Sequence, residues 1–200
     1  MMSILFPSAV PQPSNLRLNL GCGYRPMEGY VNVDLYGTPD LVLDLETFPW
    51  PWSDNTVAEV QLIQVLEHLG RDPKVYLKIW QELYRICKPR GRLIIEVPHH
   101  RHDNFYDDPT HVRAVTPLGV RMFSQRLNRE WNQRGYACSS LGLNLGVDFE
   151  LRDISYQPSS VWFQRHPEPE VNWQLLLRES QVYNNLIQSL RMVVEVMKPT

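Results

Sequence analysis

The chain of 200 residues is long enough for one domain with a full hydrophobic core. Its composition, 43% hydrophobic and 21% charged, is ordinary for a globular protein, and no apolar run is long enough to span a membrane. A net charge of -2 predicts no nucleic-acid partner, and three widely spaced cysteines without CxxC spacing argue against disulfides and thiolate zinc sites and indicate a cytoplasmic protein.

The chain begins with a predicted arm, followed by two strands joined by a glycine turn. Three prolines in residues 1–15 predict an extended arm. Strands are predicted over Leu16–Leu20 and Tyr30–Asp34, and the run LNLGCG leads from the first strand into the turn. Glycines admit a ligand close to the backbone, and a carboxylate at the end of the next strand can accept hydrogen bonds from ribose hydroxyls. This edge of the sheet is therefore a predicted nucleoside site.

Strands and a helix alternate as far as residue 98. Further strands are predicted over Leu41–Asp44, Val57–Val65 and Leu93–Val97. Between the last two, Asp72-Pro73 indicates an N-cap and first helical position, and apolar residues follow at helical spacing. This order predicts an α/β fold with a mostly parallel sheet and helices on both faces.

The second half begins with a polar insert over residues 99–130, in which a helix is predicted over Thr116–Arg129. Two late strands are predicted over Phe149–Tyr156 and Trp173–Leu177. Residues 179–200 predict an amphipathic helix, because apolar side chains recur every three or four residues. This stripe contains Val182, Leu186, Leu190, Val193 and Met197. Such a helix packs on its own domain or forms a seam between two subunits, so a monomer and a homodimer both stay open.

The glycine turn distinguishes two nucleoside cofactors. A dinucleotide site uses a third glycine for close helix packing, and Pro26 occupies that position here. Only ten residues separate Gly23 from Asp34, too few for a long helix that faces a pyrophosphate. A cofactor without phosphate therefore fits better than NAD, and S-adenosylmethionine (SAM) is one such cofactor.

Five motifs follow one another along Leu16–Pro98. They are LNLGCG at Leu18–Gly23, NVDL at Asn32–Leu35, DLETFPWPWSDNTVAEV at Asp44–Val60, QVLEHL at Gln64–Leu69 and ELYRICKPRGRLIIEVP at Glu82–Pro98. In order and spacing they resemble the class I SAM-dependent methyltransferases, and among these the methyltransferase type 11 group. The resemblance implies a Rossmann-like sheet of seven strands, one of them antiparallel, in a methyltransferase domain over residues 16–178.

The resemblance also implies contacts with the cofactor. Gly21 and Gly23 would lie beneath its methionine and ribose. Asp34 would hold the ribose hydroxyls, and Asp44 would accept from the adenine amino group. The other expected cofactor-binding residues are Leu20, Cys22, Leu35 beside the adenine, Leu45 on its ring, and Gln64 at the methyl-transfer site.

The segment Gln64–His68 resembles the ExxEH signature of methyltransferase branches that bind a magnesium-type cation. Gln64 replaces the first glutamate, and the loss of an anionic ligand weakens a site for a hard cation. The favoured interpretation of Glu67 and His68 is therefore structural, with no metal bound, and a cation site at this motif stays open as the alternative.

Three histidines of the polar insert, His99, His100 and His111, are candidates for a catalytic base, because histidine titrates near neutral pH. Among them the DPTHVR setting favours His111, since it reads as a turn that fixes the chain. The predicted function is transfer of a methyl group from SAM to an oxygen or nitrogen atom of a small molecule. The alternatives are a SAM-binding or partner-binding module without catalysis and, less favoured, an NAD-dependent oxidoreductase.

Overall fold

A computed structural model describes residues 15–199, so nearly all of the arm predicted over residues 1–15 lies outside the described residues. The strands are β1 (Leu16–Leu20), β2 (Val31–Asp34), β3 (Leu41–Val42), β4 (Val57–Ile63), β5 (Cys87–Pro98), β6 (Phe149–Pro158) and β7 (Ile187–Val196). The helices are α1 (Pro73–Ile86), α2 (Asp103–Asp107), α3 (Pro117–Arg121), α4 (Gln125–Gln133), α5 (Leu141–Leu145), α6 (Ser160–Arg165) and α7 (Trp173–Glu179). None of these helices has the length and apolar character needed to cross a bilayer.

The described strands form one seven-stranded sheet in the order β3-β2-β1-β4-β5-β7-β6. The strands from β3 to β5 pair in parallel, whereas β7 pairs antiparallel with both β5 and β6. The expectation of a mostly parallel sheet with a single antiparallel strand is confirmed. This topology brings the carboxyl ends of β1, β2 and β4 to one edge, where open parallel sheets bind ligands.

One face of the sheet carries the hydrophobic core. Its fully buried strand residues include Leu18, Leu20, Val60, Leu62, Leu93 and Ile95, and they join one cluster with buried residues of α1. The helix begins as predicted: the Asp72 carboxylate accepts a hydrogen bond from the Lys74 N–H at 2.8 Å. From the middle of α1, Trp80 stacks on Phe123 with ring centroids 4.2 Å apart, and this contact joins the helix to the end of α3.

The side chains that β1, β2 and β4 direct away from this core are largely polar and hydrogen-bonded to one another. Glu59 on β4 accepts from Arg92 at 2.5 Å and from Gln61 at 3.1 Å. On β1 and β2, Asn19 donates to Asn32 at 2.9 Å. In addition, the connections from β1 to β2 and from β2 to β3 contain no helix. The predicted helices on both faces are therefore not confirmed.

The helix predicted over residues 179–200 is wrong, because the second part of this segment is strand β7. Alternate residues are buried, as a strand requires, and they are Leu190, Met192, Val194 and Val196. Only Leu190 of these belongs to the helical stripe predicted from the sequence. Because β7 lies between β5 and β6, the segment is part of the main sheet, so neither of the two helix packings considered for it applies.

Two other predicted elements need correction, whereas the late strand over Phe149–Tyr156 is confirmed as β6. Trp173–Leu177 lies in helix α7, whose N-cap Asn172 accepts a hydrogen bond from the Leu175 N–H at 3.0 Å. The helix predicted over Thr116–Arg129 is divided into α3 and α4. The division occurs at Ser124, whose hydroxyl accepts from the Leu127 N–H at 3.1 Å and so begins a new helix.

Candidate functional site

A cavity of about 430 Å³ opens at the carboxyl ends of β1, β2 and β4. Its lining combines apolar side chains with carboxylate, amide, imidazole and hydroxyl groups. The lining residues are Gly21, Asp34, Leu35, Tyr36, Leu43, Asp44, Leu45, Gln64, Val65, His68, Leu69 and Thr110. Mostly apolar walls with a few polar groups are typical of sites that bind small molecules.

The Asp34 carboxylate is held firmly at the end of β2. Its Oδ2 accepts from the Gly23 N–H at 2.7 Å, and its Oδ1 accepts from the Tyr36 N–H at 2.9 Å. These bonds join the glycine turn to the residues after β2. Each carboxylate oxygen has a second lone pair, so the group can also accept hydrogen bonds from a ligand in the cavity.

Gly21 is required by a neighbouring side chain as well as by its backbone. Its φ of 72° is strained for residues with a Cβ, and a Cβ at this position would lie 2.4 Å from Val65 Cγ2. The sequence suggested that a glycine is needed here so that a ligand can approach the backbone. The contact with Val65 and the backbone conformation explain Gly21 without a ligand. By contrast, a Cβ at Gly23 (φ 50°) would have no neighbour within 4 Å.

A polar clamp replaces a helix in the short connection between β1 and β2. The side-chain oxygen of Asn32 accepts from the Met27 N–H at 2.7 Å and from the Asn19 amide at 2.9 Å. The same Asn19 amide also donates to the Arg25 carbonyl at 3.1 Å. Asn32 in turn donates from its N–H and its side-chain amide to Asp40, both at 2.8 Å. These bonds satisfy the backbone of a turn that has no helical hydrogen bonds of its own.

Asp44 and Gln64 enter the cavity from loops rather than from strands. Asp44 lies beyond β3, where its carboxylate accepts from the Glu46 N–H at 2.8 Å and from the Thr47 hydroxyl at 3.2 Å. Gln64 follows β4 with a φ of 58°, an uncommon conformation for a residue other than glycine. Its N–H donates to the Glu96 carbonyl on β5 at 2.8 Å, which fixes the strained residue at the edge of the cavity.

Comparison with solved structures identifies the fold. A SAM-dependent methyltransferase from Archaeoglobus fulgidus superimposes with a TM-score of 0.56 over 92% of this chain and 87% of that chain, at 17% identity. A second, from Methanosarcina mazei, gives 0.52 over 95% of both chains at 12% identity. The fold is that of the class I SAM-dependent methyltransferases. No family profile matches the sequence, and no curated protein does.

A further neighbour shows that this methyltransferase fold does not by itself define a reaction. The 4+2 cyclase SpnF superimposes with a TM-score of 0.53 over 94% of this chain and 77% of that chain, at 14% identity. A cyclase and methyltransferases are thus equally similar in fold to this chain. The activity of this chain therefore depends on the residues of its cavity and not on its fold alone.

Six of the residues expected to bind the cofactor line this cavity: Gly21, Asp34, Leu35, Asp44, Leu45 and Gln64. The other three, Leu20, Cys22 and Gly23, do not line it. Leu20 is fully buried in the core, and Cys22 is 5% exposed. Gly23 contributes indirectly, through the N–H that it donates to Asp34.

The histidines proposed as bases occupy different places. His99 and His100 pack on each other with ring centroids 4.5 Å apart and do not line the cavity. Burial, together with the positive charge of neighbouring groups such as His100 and Arg101, lowers the pKa of His99 to about 4. His111 does not line the cavity either, but its ring lies 4.5 Å from that of His68, which does.

The sequence interpretation missed His68 and Thr110 as residues of the cavity. His68 is one residue after Glu67 in the QVLEH motif, and Thr110 precedes His111 in the polar insert. The Thr110 hydroxyl lies 2.9 Å from His68 Nδ1, so these two distant segments meet at one wall of the cavity. The position of the QVLEH motif just after β4 was the available signal for His68. No local pattern pairs it with Thr110.

Behind this wall lies a buried carboxyl group. Glu67 is fully buried, and neither of its carboxylate oxygens has a hydrogen-bond partner among residues 15–199. Burial raises the pKa of Glu67 to about 7 and outweighs the opposite effect of the nearby Glu67 and Val65 backbone N–H groups, while the negative charges of Asp108 and Glu96 add to the rise. Burial of a carboxyl group without a hydrogen-bond partner is costly unless a proton or a cation compensates for its charge.

Proposed function

We propose that the chain is a SAM-dependent methyltransferase whose cofactor occupies the cavity beside Asp34. The observation that carries the proposal is the convergence, on one cavity of suitable size, of residues expected from the motifs to bind SAM. The cavity volume of about 430 Å³ falls within the range of roughly 300–1,000 Å³ typical of small-molecule sites. The methyltransferase fold supports the same assignment.

The chemistry of the lining suits a nucleoside. Asp34 provides lone pairs for ribose hydroxyls, and Asp44 provides an acceptor for the adenine amino group. Leu35 and Leu45 provide apolar surface for the adenine ring. Gln64 lines the β4 side of the cavity, and we propose that it orients the reacting end of the ligand.

SAM supplies a methyl group already activated by the positive charge on its sulfur. The protein then chiefly needs to align the acceptor with the methyl group, and such positioning alone can lower a barrier by several kcal/mol. We propose an oxygen or nitrogen atom of a small molecule as acceptor. Proton removal by a histidine of the polar insert, His111 in particular, stays a prediction.

Calorimetric titration with SAM tests this proposal, and NADH is the competing ligand. We expect SAM to bind and NADH not to bind. Replacing Asp34 with Asn removes a charged acceptor worth about 1.5–3 kcal/mol, so SAM affinity should fall roughly 10- to 150-fold. Asp72→Asn is the matched control, since Asp72 also accepts a backbone hydrogen bond, lies outside the cavity, and asparagine is an equally good N-cap.

The outcomes separate the three candidate functions. Failure of SAM to bind, or equal affinity in the parent and Asp34→Asn proteins, would contradict the assignment. Binding of NADH instead would indicate the oxidoreductase. SAM binding without formation of S-adenosylhomocysteine across a panel of hydroxyl and amine acceptors would favour the non-catalytic module.

A further inference from the structure

Three side chains that can ligate a metal face one another beside the cavity. Glu67 and His68 follow β4, whereas His111 belongs to the segment after β5. One ligand atom from each of them lies within 4.8 Å of the other two. We propose that Glu67, His68 and His111 together bind a divalent transition-metal ion.

Hydrogen bonds fix the tautomer of both imidazole rings and leave one nitrogen of each ring unprotonated. His111 Nδ1 lies 2.7 Å from the Phe105 carbonyl, which can only accept, so this nitrogen carries the proton. His68 Nδ1 lies 2.9 Å from the Thr110 hydroxyl, whose own hydrogen is donated to Asp108 at 2.6 Å. His68 Nδ1 must therefore also carry a proton. The Nε2 lone pair of each ring is therefore free to bind a metal ion. In known metal sites, hydrogen-bond partners fix the histidine tautomer in the same way.

The third group is the Glu67 carboxylate, on which only the nearby Glu67 and Val65 backbone N–H groups act favourably. Its oxygens are buried and have no hydrogen-bond partner in the described part of the chain. A second carboxylate is close by, since Asp108 Oδ2 lies 3.9 Å from His111 Nε2. Two imidazole lone pairs and two carboxylates in so small a volume form an environment that favours a cation.

The set of ligands indicates the class of metal. Two imidazoles with one carboxylate suit Zn²⁺, Fe²⁺ and related ions, whereas Mg²⁺ prefers oxygen ligands alone. The glutamine in place of the first glutamate of the ExxEH signature is thus no obstacle, because His111 supplies the third ligand. Ligand atoms around a tetrahedral ion with bonds of about 2.0 Å lie about 3.3 Å apart, whereas one ligand atom of each residue, either ring nitrogen for a histidine, lies within 4.8 Å of the others, so binding through Nε2 requires the side chains to close on the ion.

A metal with three protein ligands keeps a position for water or for an oxygen atom of a second molecule. His68 and Thr110 also line the cavity, so this position is accessible to a ligand in the cavity. We expect that ligand to be an acceptor bearing an alcohol or carboxylate oxygen, a step that rests on the proposed function. The metal site itself depends only on the three side chains, and because it uses the one lone pair of His111, a bound metal would exclude His111 as the catalytic base.

The test uses the full-length protein, freed of metal with a chelator and titrated with Co²⁺. Bound metal and visible absorption are measured together, and one Co²⁺ per chain with ligand-field bands is expected. Glu67→Gln and His111→Ala should each weaken binding by more than about 100-fold, and Thr110→Val, which removes a second-shell partner, by about 10- to 100-fold. Glu67→Gln keeps the side-chain size and removes a buried charge, so this variant should fold even if His111→Ala does not.

His166→Ala is the matched control. His166 also lies beside a carboxylate, with its Nε2 3.2 Å from Glu179 Oε2, but it is not part of the cluster. Its loss should leave Co²⁺ affinity unchanged. No uptake of Co²⁺ or Zn²⁺ by the parent protein, or equal uptake by the parent and Glu67→Gln proteins, would overturn the inference. SAM titration of the same samples distinguishes the two proposals. If the parent protein binds SAM but takes up no Co²⁺, only the metal site is contradicted.

Discussion

The contact between Gly21 and Val65 makes a quantitative prediction about the glycine turn. In Gly21→Ala, a residue with a Cβ must adopt a φ of 72°, which costs about 1–2 kcal/mol in the left-handed region. The new methyl group would also lie 2.4 Å from Val65 Cγ2, and overpacking of this kind costs about 1–3 kcal/mol. We therefore expect Gly21→Ala to lower the free energy of unfolding by roughly 2–5 kcal/mol.

Gly23→Ala is the natural control, because it shares the backbone requirement without the contact. Its φ is 50°, and nothing lies within 4 Å of the added Cβ. Only the backbone cost of about 1–2 kcal/mol should appear. Denaturant unfolding in the absence of SAM measures both values, with the slope checked for a change in the unfolded state.

A double-mutant cycle isolates the contact itself. Val65→Ala removes the two methyl groups that a Cβ on Gly21 would meet, at a cost of about 1.5–2.5 kcal/mol for the lost burial. In the double variant only the contact with Val65 Cβ at 3.2 Å remains and most of the overpacking is relieved, so the combined cost should be smaller than the two single costs together by about 1–3 kcal/mol. Additivity within about 0.5 kcal/mol, or equal costs for Gly21→Ala and Gly23→Ala, would refute the reasoning.

Two further predictions concern the core. Burial opposes the charge on Glu82, but hydrogen bonds from Arg85 and the Trp50 N–H hold the pKa of Glu82 below its usual value. The charged Glu82 carboxylate therefore stabilises the fold above about pH 4.3, and this stabilisation is lost as the pH falls further. Glu82→Gln should flatten the acid side of a plot of unfolding free energy against pH. An unchanged acid side would contradict this prediction. In β7, Met192→Ala should lower the free energy of unfolding, measured by chemical denaturation, by about 2–5 kcal/mol. Val193 is more exposed, so Val193→Ala should lower it distinctly less. The reverse order would favour a helix.

Much of the fold was predictable where local signals agreed. The Asp72-Pro73 pair predicted the start of α1 because capping depends on adjacent residues alone. The run of residues from Leu18 to Gly23 predicted a strand and its turn for the same reason. Even the error at Trp173 had a local remedy, since Asn172 is a good N-cap that was overlooked.

The C-terminal strand was not predictable from its own residues. Apolar residues are frequent enough in residues 182–197 to satisfy both a helical and a strand spacing. Leu190 fits both patterns, and the choice depends on Met192 and Val194, which are buried only because β5 and β6 lie on either side. Burial of this kind comes from tertiary context that no window of sequence contains.

The candidate site shows the same limit in a more consequential form. The residues around Asp34 were found because their motifs are continuous in the chain. His68 and His111 stand 43 positions apart, and their proximity depends on a hydrogen bond from the Val112 N–H to the Glu67 carbonyl at 2.8 Å. Each histidine taken alone has an ordinary structural explanation. The buried Glu67 carboxylate, which lies between their two segments, is better explained if all three side chains form one site.

The short connection between β1 and β2 explains how this cavity keeps its shape without a helix. A helix in that connection would satisfy its own backbone and fix the entry to β2. Here the side chains of Asn19 and Asn32 perform both tasks, because they bind the turn and are themselves anchored on adjacent strands. Asp34 lies two residues beyond Asn32 on the same strand, so the polar clamp fixes the strand that carries the proposed ribose ligand. The polar face of the sheet and the cofactor edge are in this sense one structural unit.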